Sequence, residues 1–336
     1  MNLQEINMII SKIKSKAYSP IYFLMGEETF YIDYISNLLE KKVLSEEEKS
    51  FNKTVLYGKE TTISELVSIC KRYPINSEYQ TVFIKEAQEL SRQIDALSDY
   101  ALNPMMSTIL IINYKYKSLD KRKKLFKNVQ KFGVIIDCKK LYENRIPMWI
   151  SENLKKDNYN IDFKSASMLT EYLGNDLNKI NNQLNKLKIL CNSNKIIDSE
   201  LIEKNIGISK DFNVFELRNA LGQKNIKKSL DISNYLTNNS TKHPIQLILS
   251  SIFNYFIQIF QFHCISNKSE SNISRTLGVN PYFVKEYMNA SKMYSMKRIS
   301  KIISLINECD LKSKGVGASK ISNKDLLRQL VVQIIS

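Results

Sequence analysis

A run of five apolar residues at 21–25 leads through Gly26 directly into an amphipathic helical pattern that begins near Phe30. Strand, glycine turn and helix in this order form the frame of a phosphate-binding loop. The G-x-x-x-x-G-K-[ST] pattern also needs a second glycine and a lysine, and this turn has neither. Glu27 and Glu28 place negative charge where phosphates would bind. The stretch predicts a nucleotide-binding scaffold without nucleotide chemistry, which is typical of a binding subunit.

Four more short apolar runs follow in the first 140 residues, and helical patterns separate them. The runs lie at residues 51–57, 81–84, 108–112 and 134–136, and the helical patterns near 30–43, 63–71, 93–102 and 121–131. This alternation is typical of a parallel sheet with both faces covered. From Pro147 onward only helical periodicity is found, so we predict an α/β module followed by all-α segments.

The length of 336 residues exceeds one ordinary core, so two or three domains are expected. The change of pattern places the α/β module at residues 1–140. A small helical domain at 141–210 and a helical bundle at 211–336 complete the predicted organisation. The pattern at 245–262 is apolar on nearly every face, which predicts the centre of that bundle.

The chain carries 49 Lys and Arg against 34 Asp and Glu, a net charge of +15, and residues 211–336 hold most of this excess. A basic excess favours polyanions such as DNA, whose affinity depends largely on released counterions. The chain is also rich in Lys, Asn and Ile together, a composition that general base-composition bias produces. Both explanations of the charge stay open.

Several classes of protein are disfavoured. We find no apolar run long enough to span a bilayer and no signal-peptide pattern, so we expect a cytoplasmic protein without membrane contact. Five cysteines stand singly, and His243 and His263 form no H-E-x-x-H arrangement. We expect reduced thiols, no metal site and no cofactor.

The acids of an ATPase are missing as well. The apolar run at 81–84 ends in Lys85 and Glu86, with lysine where a Walker B strand carries its first acid. Asn113 follows the run at 108–112 as a relic of the polar residue that senses a γ-phosphate. Without the lysine and glycine of the phosphate loop it has nothing to sense.

A short loop lies between the helical pattern that ends near residue 71 and the run that begins at residue 81. Pro74 ends the helix, and Ile75 stands at the loop tip among polar neighbours. Two interpretations stay open for Ile75. It folds back as a local plug, or it enters a hydrophobic pocket of a partner.

Aromatic and basic residues alternate at 113–124, after the strongest predicted strand. Parallel sheets often bind ligands at the carboxyl ends of their strands, so this run contains candidates for phosphate or DNA contacts. They are Lys115, Lys117, Lys121 and Arg122. A solvated basic helix face is the commoner explanation of such a run, and we favour it.

Residues 273–285 have the pattern of a helix-turn-helix, with Gly278 in the turn and Pro281 at the start of the second helix. Reading of bases needs polar side chains on the exposed face of that helix. Tyr282, Phe283 and Val284 are poor readers, so we predict packed bundle helices.

Taken in order, five stretches resemble the delta subunit family of the bacterial DNA polymerase III clamp loader. They are residues 20–33, 174–180, 212–217, 277–282 and 310–315. Each stretch alone is weakly specific, but their order and spacing run nearly from end to end of the chain.

The resemblance implies an AAA+-like module whose phosphate loop is degenerate at Gly26, Glu27 and Glu28, followed by a helical lid and a helical collar. The collar joins other loader subunits in a ring. Members of the family bind the sliding clamp and hold one ring interface open for loading on primed DNA, while sibling subunits supply the ATP-driven switching. The resemblance implies no catalytic residue in this chain, although the family belongs to a DNA-directed DNA polymerase complex.

The family binds the clamp through a pair of apolar residues before the third strand, and the matching positions here are Pro74, Ile75 and Asn76. The polar Asn76 departs from the pair. Two alternatives are an active AAA+ ATPase such as a helicase loader and a helix-turn-helix DNA-binding protein.

Overall fold

The computed structural model describes residues 3–206, 209, 211–241, 243–317 and 321–336. The chain divides into two compact units between Tyr142 and Glu143. The first unit holds the predicted α/β module. The second holds both predicted helical segments, and their division at residue 210 stays a prediction.

The first unit is built on a five-stranded parallel sheet in the order β2-β3-β4-β1-β5. The strands are β1 Ile21–Gly26, β2 Lys53–Tyr57, β3 Gln80–Lys85, β4 Thr108–Lys115 and β5 Val134–Asp137. All five predicted strands are confirmed. All six residues of β1 are buried, as expected for a strand that is covered on both faces.

Six α-helices belong to the described part of the first unit. They are α1 Leu3–Lys14, α2 Thr29–Lys42, α3 Glu46–Asn52, α4 Ile63–Cys70, α5 Ser98–Leu102 and α6 Lys124–Phe132. The side chains of Phe23, Val82 and Leu110 lie on one sheet face in a core with residues of α4, α5 and α6. Asn113 lies on the other face, where its amide donates to Ser36 of α2.

One predicted boundary is wrong in a way that concerns the candidate site. The sequence pattern predicts a strand that includes Phe51 and Asn52, but these two residues end α3, and β2 begins at Lys53. Ser45 and Glu48 form a capping box at the start of α3. This reciprocal pair of hydrogen bonds stabilises a short helix, which extends through Phe51 and Asn52 although the residues from Phe51 onward have the pattern of a strand.

The second unit consists mainly of helices. They are α7 Ile146–Lys155, α8 Phe163–Leu173, α9 Leu177–Leu190, α10 Ser199–Ile206, α11 Val214–Gly222, α12 Ile226–Asn238, α13 Ile245–Cys264, α14 Glu270–Leu277, α15 Val284–Met293, α16 Met296–Ser313 and α17 Asn323–Ile335. The expectation of no strand after Pro147 is wrong. Two-residue strands β6 Asn160–Ile161 and β7 Ile196–Ile197 pair in parallel, and they are too short to produce a period in the sequence.

Helix α13 lies in the core of the second unit, as predicted. Ile252 and Phe256 of α13 belong to one buried cluster with Leu217, Leu327 and other side chains of α11, α12 and α14–α17. Among the described helices it is the one whose length and composition would also allow a membrane span, with a mean hydropathy of 1.4 over 18 residues. The sequence prediction that no apolar run is long enough to span a bilayer is therefore wrong. A helix buried in a protein core can be as long and as apolar as a membrane-spanning helix.

Candidate partner-binding site

The turn after β1 is closed by neighbouring backbone. Gly26 has a φ of +117°, and a Cβ at this position would lie 2.4 Å from the carbonyl oxygen of Cys138. The N–H of Gly26 donates to the carbonyl oxygen of Lys117 at 3.0 Å. Because this N–H already has an acceptor, it does not point freely into an anion site.

Glu28 occupies the amino end of α2. Its side chain is 4% exposed, and its carboxylate accepts a hydrogen bond from the N–H of Phe30 at 3.2 Å. The N–H of Glu28 donates to the carbonyl oxygen of Cys138 at 2.8 Å. A helix amino terminus attracts anions, and here a protein carboxylate takes that position. The arrangement therefore disfavours a bound phosphate.

The remaining parts of the predicted relic site serve the packing of the module. Asn113 is buried, and its amide donates to the hydroxyl of Ser36 at 3.2 Å. The thiol of Cys138 is also buried, and burial, with smaller effects from Asp137 and Glu28, raises its pKa to about 12. Neither group offers an exposed polar atom for a nucleotide.

The four residues predicted to contact phosphate have different partners in the structure. Lys115 forms an ion pair with Asp33 at 2.7 Å, and Lys117 donates to the hydroxyl of Ser91 at 2.9 Å. The guanidinium of Arg122 pairs with Asp120 at 2.8 Å and lowers the pKa of that carboxyl to about 2. Lys121 is exposed. Contact with DNA stays a prediction for all four residues.

The loop before β3 presents Ile75 to solvent. The Ile75 side chain is 58% exposed, so the interpretation as a local plug is wrong. Asn52 holds the backbone of the same residue: its Oδ1 accepts from the N–H of Ile75 at 2.7 Å, and its Nδ2 donates to the carbonyl oxygen at 2.9 Å. Pro74 is half-buried, and Asn76 is exposed with a φ of +48°.

Exposed apolar side chains stand in three segments that lead into neighbouring strands. Phe51 precedes β2, Tyr73 and Ile75 precede β3, and Met106 precedes β4; their exposures are 73%, 79%, 58% and 70%. Because β2, β3 and β4 are adjacent and parallel, their amino ends lie at one edge of the sheet. We call these four residues the amino-edge surface.

Sequence reasoning found only Ile75 of this surface. The sequence pattern does not identify Phe51, because it predicts a strand there, although Ser45 and Glu48 signal the start of a helix. Tyr73 and Met106 follow no motif. Their exposure depends on packing that sequence periodicity does not describe.

In the second unit, the helix-turn-helix pattern is a packed pair of helices, as predicted. Gly278 has a φ of +66° at the end of α14, and residues 281–283 form a 3-10 turn before α15. Phe283 and Val284 are buried. Tyr282, in the turn before α15, is 61% exposed, whereas Val284 and Tyr287 of α15 are directed into the bundle.

The second unit also contains a cavity of about 510 Å³ beside α8, α11 and α13. Several of its charged and polar side chains bind one another. Arg218 pairs with Glu171 at 3.4 Å, Ser251 donates to Glu171 at 2.9 Å, and Tyr287 donates to Gln258 at 2.6 Å. Among the described residues of both units, no cluster of three His, Cys, Asp or Glu side chains is placed to hold a metal ion.

Comparison with known proteins decides the family. The model described as "DNA polymerase III, delta subunit" matches residues 22–139, and the model for the C-terminal domain of the same subunit matches residues 211–333. The chain belongs to the DNA polymerase III delta subunit family. The resemblance stated from the sequence motifs is thereby confirmed.

Two curated relatives align with the delta family chain over most of its length. "DNA polymerase III subunit delta" of Bacillus subtilis (strain 168) is 22% identical over 333 residues, which cover 96% of this chain and 95% of the relative. "Probable DNA polymerase III subunit delta" of Aquifex aeolicus (strain VF5) is 22% identical over 303 residues, covering 85% and 83%.

A solved structure of the delta family shares the fold. The Bacillus subtilis DNA clamp loader delta protein matches with a TM-score of 0.56 at 23% identity, over 98% of this chain and 99% of that chain. The fold is an AAA+-like parallel-sheet module with a C-terminal helical domain, as predicted.

Proposed function

We propose that this chain is the clamp-loader delta subunit of DNA polymerase III and that it binds the sliding clamp through the loop of Pro74, Ile75 and Asn76. The observation that supports the proposal most is the exposed Ile75 side chain on a backbone held by Asn52. The resemblance to the delta family implies a clamp contact at this position. An apolar side chain on a fixed backbone is suited to fill a pocket of a partner.

The polar Asn76 is compensated by neighbouring apolar side chains. Phe51 and Tyr73 are more exposed than Ile75, and both lie just before strands whose amino ends form the same edge of the sheet. Aromatic residues commonly carry much of the energy of protein interfaces. The amino-edge surface thus supplies the apolar area that the family obtains from a second residue of the loop.

Opening of the clamp requires no covalent chemistry by this chain. If the amino-edge surface binds the clamp more tightly when one ring interface is open, the open state gains population by the ratio of the two affinities. Glu28 at the amino end of α2 is the reason to assign no ATP hydrolysis to this chain. ATP-driven switching then belongs to sibling subunits.

The other partners follow from the same assignment. The second unit joins sibling subunits in a hetero-oligomeric ring, and the assembled cytoplasmic complex contacts primed DNA. The basic excess of the chain suits phosphate contact, and three of the four predicted residues, Lys117, Lys121 and Arg122, are exposed.

The test is gel filtration of the full-length chain with the sliding clamp of the same organism, without nucleotide. We expect the two proteins to elute together, because the proposed clamp contact is made by an exposed loop and needs no nucleotide on this chain. Separate elution at protein concentrations of about 10 μM would contradict the proposal. It would mean that the Kd is weaker than about 10 μM, which corresponds to less than about 7 kcal/mol of binding free energy.

A further inference from the structure

We propose that Asn52 is a positioning residue for the clamp contact: its carboxamide holds the backbone of Ile75 so that the side chain faces outward. The inference rests on the proposed function of the loop and extends it to a residue of α3. Asn52 lies 23 positions before Ile75, outside the loop.

The hydrogen bonds of Asn52 use both sides of its carboxamide. Oδ1 accepts from the N–H of Ile75 at 2.7 Å, and Nδ2 donates to the carbonyl oxygen of Ile75 at 2.9 Å and to that of Glu48 at 3.3 Å. An amide side chain provides an acceptor and a donor together, so it satisfies both backbone groups of one residue as a neighbouring strand would. Asn52 is only 4% exposed, and water competes little for these bonds.

Asn52 itself is fixed from two directions. It is the last residue of α3, whose amino end has the capping box of Ser45 and Glu48. The next residue, Lys53, begins β2, where it pairs with Thr81 of β3. The carboxamide is thus attached to the sheet and to a capped helix at the same time.

The loop has a second anchor at its end. The Nε2 of Gln80 donates to the hydroxyl of Thr108 at 2.7 Å, and that hydroxyl donates to the carbonyl oxygen of Cys70 at the end of α4. These bonds fix both ends of the loop. Asn52 holds its middle, next to Asn76 in its left-handed conformation.

A loop that is ordered before binding loses less conformational entropy when a partner arrives. Removal of the Asn52 carboxamide therefore weakens clamp binding without removing any atom that we assign to the contact. Because Asn52 acts through Ile75, its effect depends on the presence of the Ile75 side chain.

The experiment combines amide hydrogen exchange with calorimetric titration of the clamp, using the full-length chain. In Asn52→Ala we expect at least tenfold faster exchange in the peptide that covers residues 71–79 and about tenfold weaker clamp binding. Asn128→Ala is the matched control, because the Asn128 amide likewise donates to a backbone carbonyl, that of Ser98, at 3.0 Å. Both readouts stay at the wild-type values in the control.

A double-mutant cycle separates positioning from a general loss of structure. In the Ile75→Ala background, Asn52→Ala should cost less than twofold in clamp affinity, because the side chain that it positions is already gone. An undiminished tenfold loss in that background overturns the inference. Unchanged exchange and affinity in Asn52→Ala also overturn it.

Asn52→Asp keeps the acceptor for the N–H of Ile75 but places a carboxylate oxygen against the carbonyl oxygens of Ile75 and Glu48, so exchange should be at least as fast and affinity at least as weak as in Asn52→Ala. This variant also decides the inference if Asn52→Ala does not fold, since wild-type values in both readouts would overturn it. If the wild-type chain does not bind the clamp, the proposed function fails. The exchange measurement then still shows whether Asn52 orders the loop.

Discussion

The backbone N–H of Glu28 donates to the carbonyl oxygen of Cys138 at 2.8 Å, so the residue that begins the helix after β1 is bound to the segment that follows β5. The carboxylate of the same residue caps α2. Together these hydrogen bonds give the loop after β1 a structural role in the first unit: they connect the start of α2 to the segment after β5.

The first prediction concerns nucleotide. The isolated chain should show no saturable ATP binding up to millimolar concentration in equilibrium dialysis, because the amino end of α2 already has a carboxylate ligand. Glu28→Ala should not create binding, since the lysine and second glycine of a phosphate loop are still absent. Micromolar ATP binding by the wild-type chain would instead favour an active ATPase.

The second prediction concerns the glycine of this loop. Gly26→Ala should lower the free energy of unfolding of the first unit by about 2–4 kcal/mol, because the added Cβ meets the Cys138 carbonyl group at a positive φ. Gly278 is a matched control, since it has a positive φ in the ordinary left-handed region and a Cβ there would have no heavy atom nearer than 3.5 Å. Gly278→Ala should cost only about 1 kcal/mol in urea unfolding. Equal costs would show that contact with Cys138 contributes nothing.

The third prediction extends the contact to Phe51. Truncation of this exposed ring should weaken clamp binding about tenfold or more and leave the thermal unfolding of the chain unchanged, since the ring has little packing to lose. The control is Tyr142→Ala, which removes an exposed ring that follows the carboxyl end of β5. If both variants bind like wild type in calorimetric titration, the contact does not include Phe51.

The fourth prediction concerns a buried carboxylate in the second unit. Glu216 pairs with Lys164 at 2.8 Å and with Lys228 at 2.6 Å. Burial opposes the charged form of Glu216, but the two lysines outweigh burial, and the net effect lowers its pKa. The group therefore stabilises the fold fully above its unfolded pKa of about 4.3, and this contribution is lost as pH falls through the folded pKa.

Urea unfolding between pH 3.5 and 7 measures this contribution. Glu216→Gln should flatten the fall of stability below about pH 5, whereas Glu203→Gln changes an exposed carboxylate on α10 and should not. Replacement of Lys164 and Lys228 together by Met should cost about 3 kcal/mol at pH 7, because a buried charge is left without a partner. An unchanged pH dependence in Glu216→Gln would contradict the assignment.

The fifth prediction concerns the thiols. Cys264 is exposed, whereas burial raises the pKa of Cys70 to about 12 and that of Cys309 to about 11. Since the thiolate is the reactive form, a disulfide reagent at pH 8 should modify Cys264 in a fast phase, the half-buried Cys191 more slowly, and the buried thiols only after unfolding. Cys264→Ser should remove the fast phase. Its persistence would show that another cysteine is accessible.

The sequence predicts the sheet well because each strand is a short apolar run, and the pattern of the buried β1 is local to the strand. The candidate site is harder. Ile75 was found because Pro74 marks the end of a helix, a local signal. The Asn52 contact joins residues 23 positions apart, and no periodicity describes such a pair. Its partner helix α3 had a local signal in Ser45 and Glu48, but the extended pattern after Phe51 obscured it.

The most direct test of the central claim is calorimetric titration of the sliding clamp with the full-length chain in the absence of ATP. Wild type and Tyr142→Ala should bind with the same affinity, and the double variant Pro74→Ala, Ile75→Ala should bind at least about 30-fold more weakly, a loss of about 2 kcal/mol. The double variant should stay folded, with thermal unfolding close to that of wild type, because Ile75 is exposed and Pro74 is only half-buried. An unchanged clamp affinity in the double variant would contradict the claim that this loop binds the clamp.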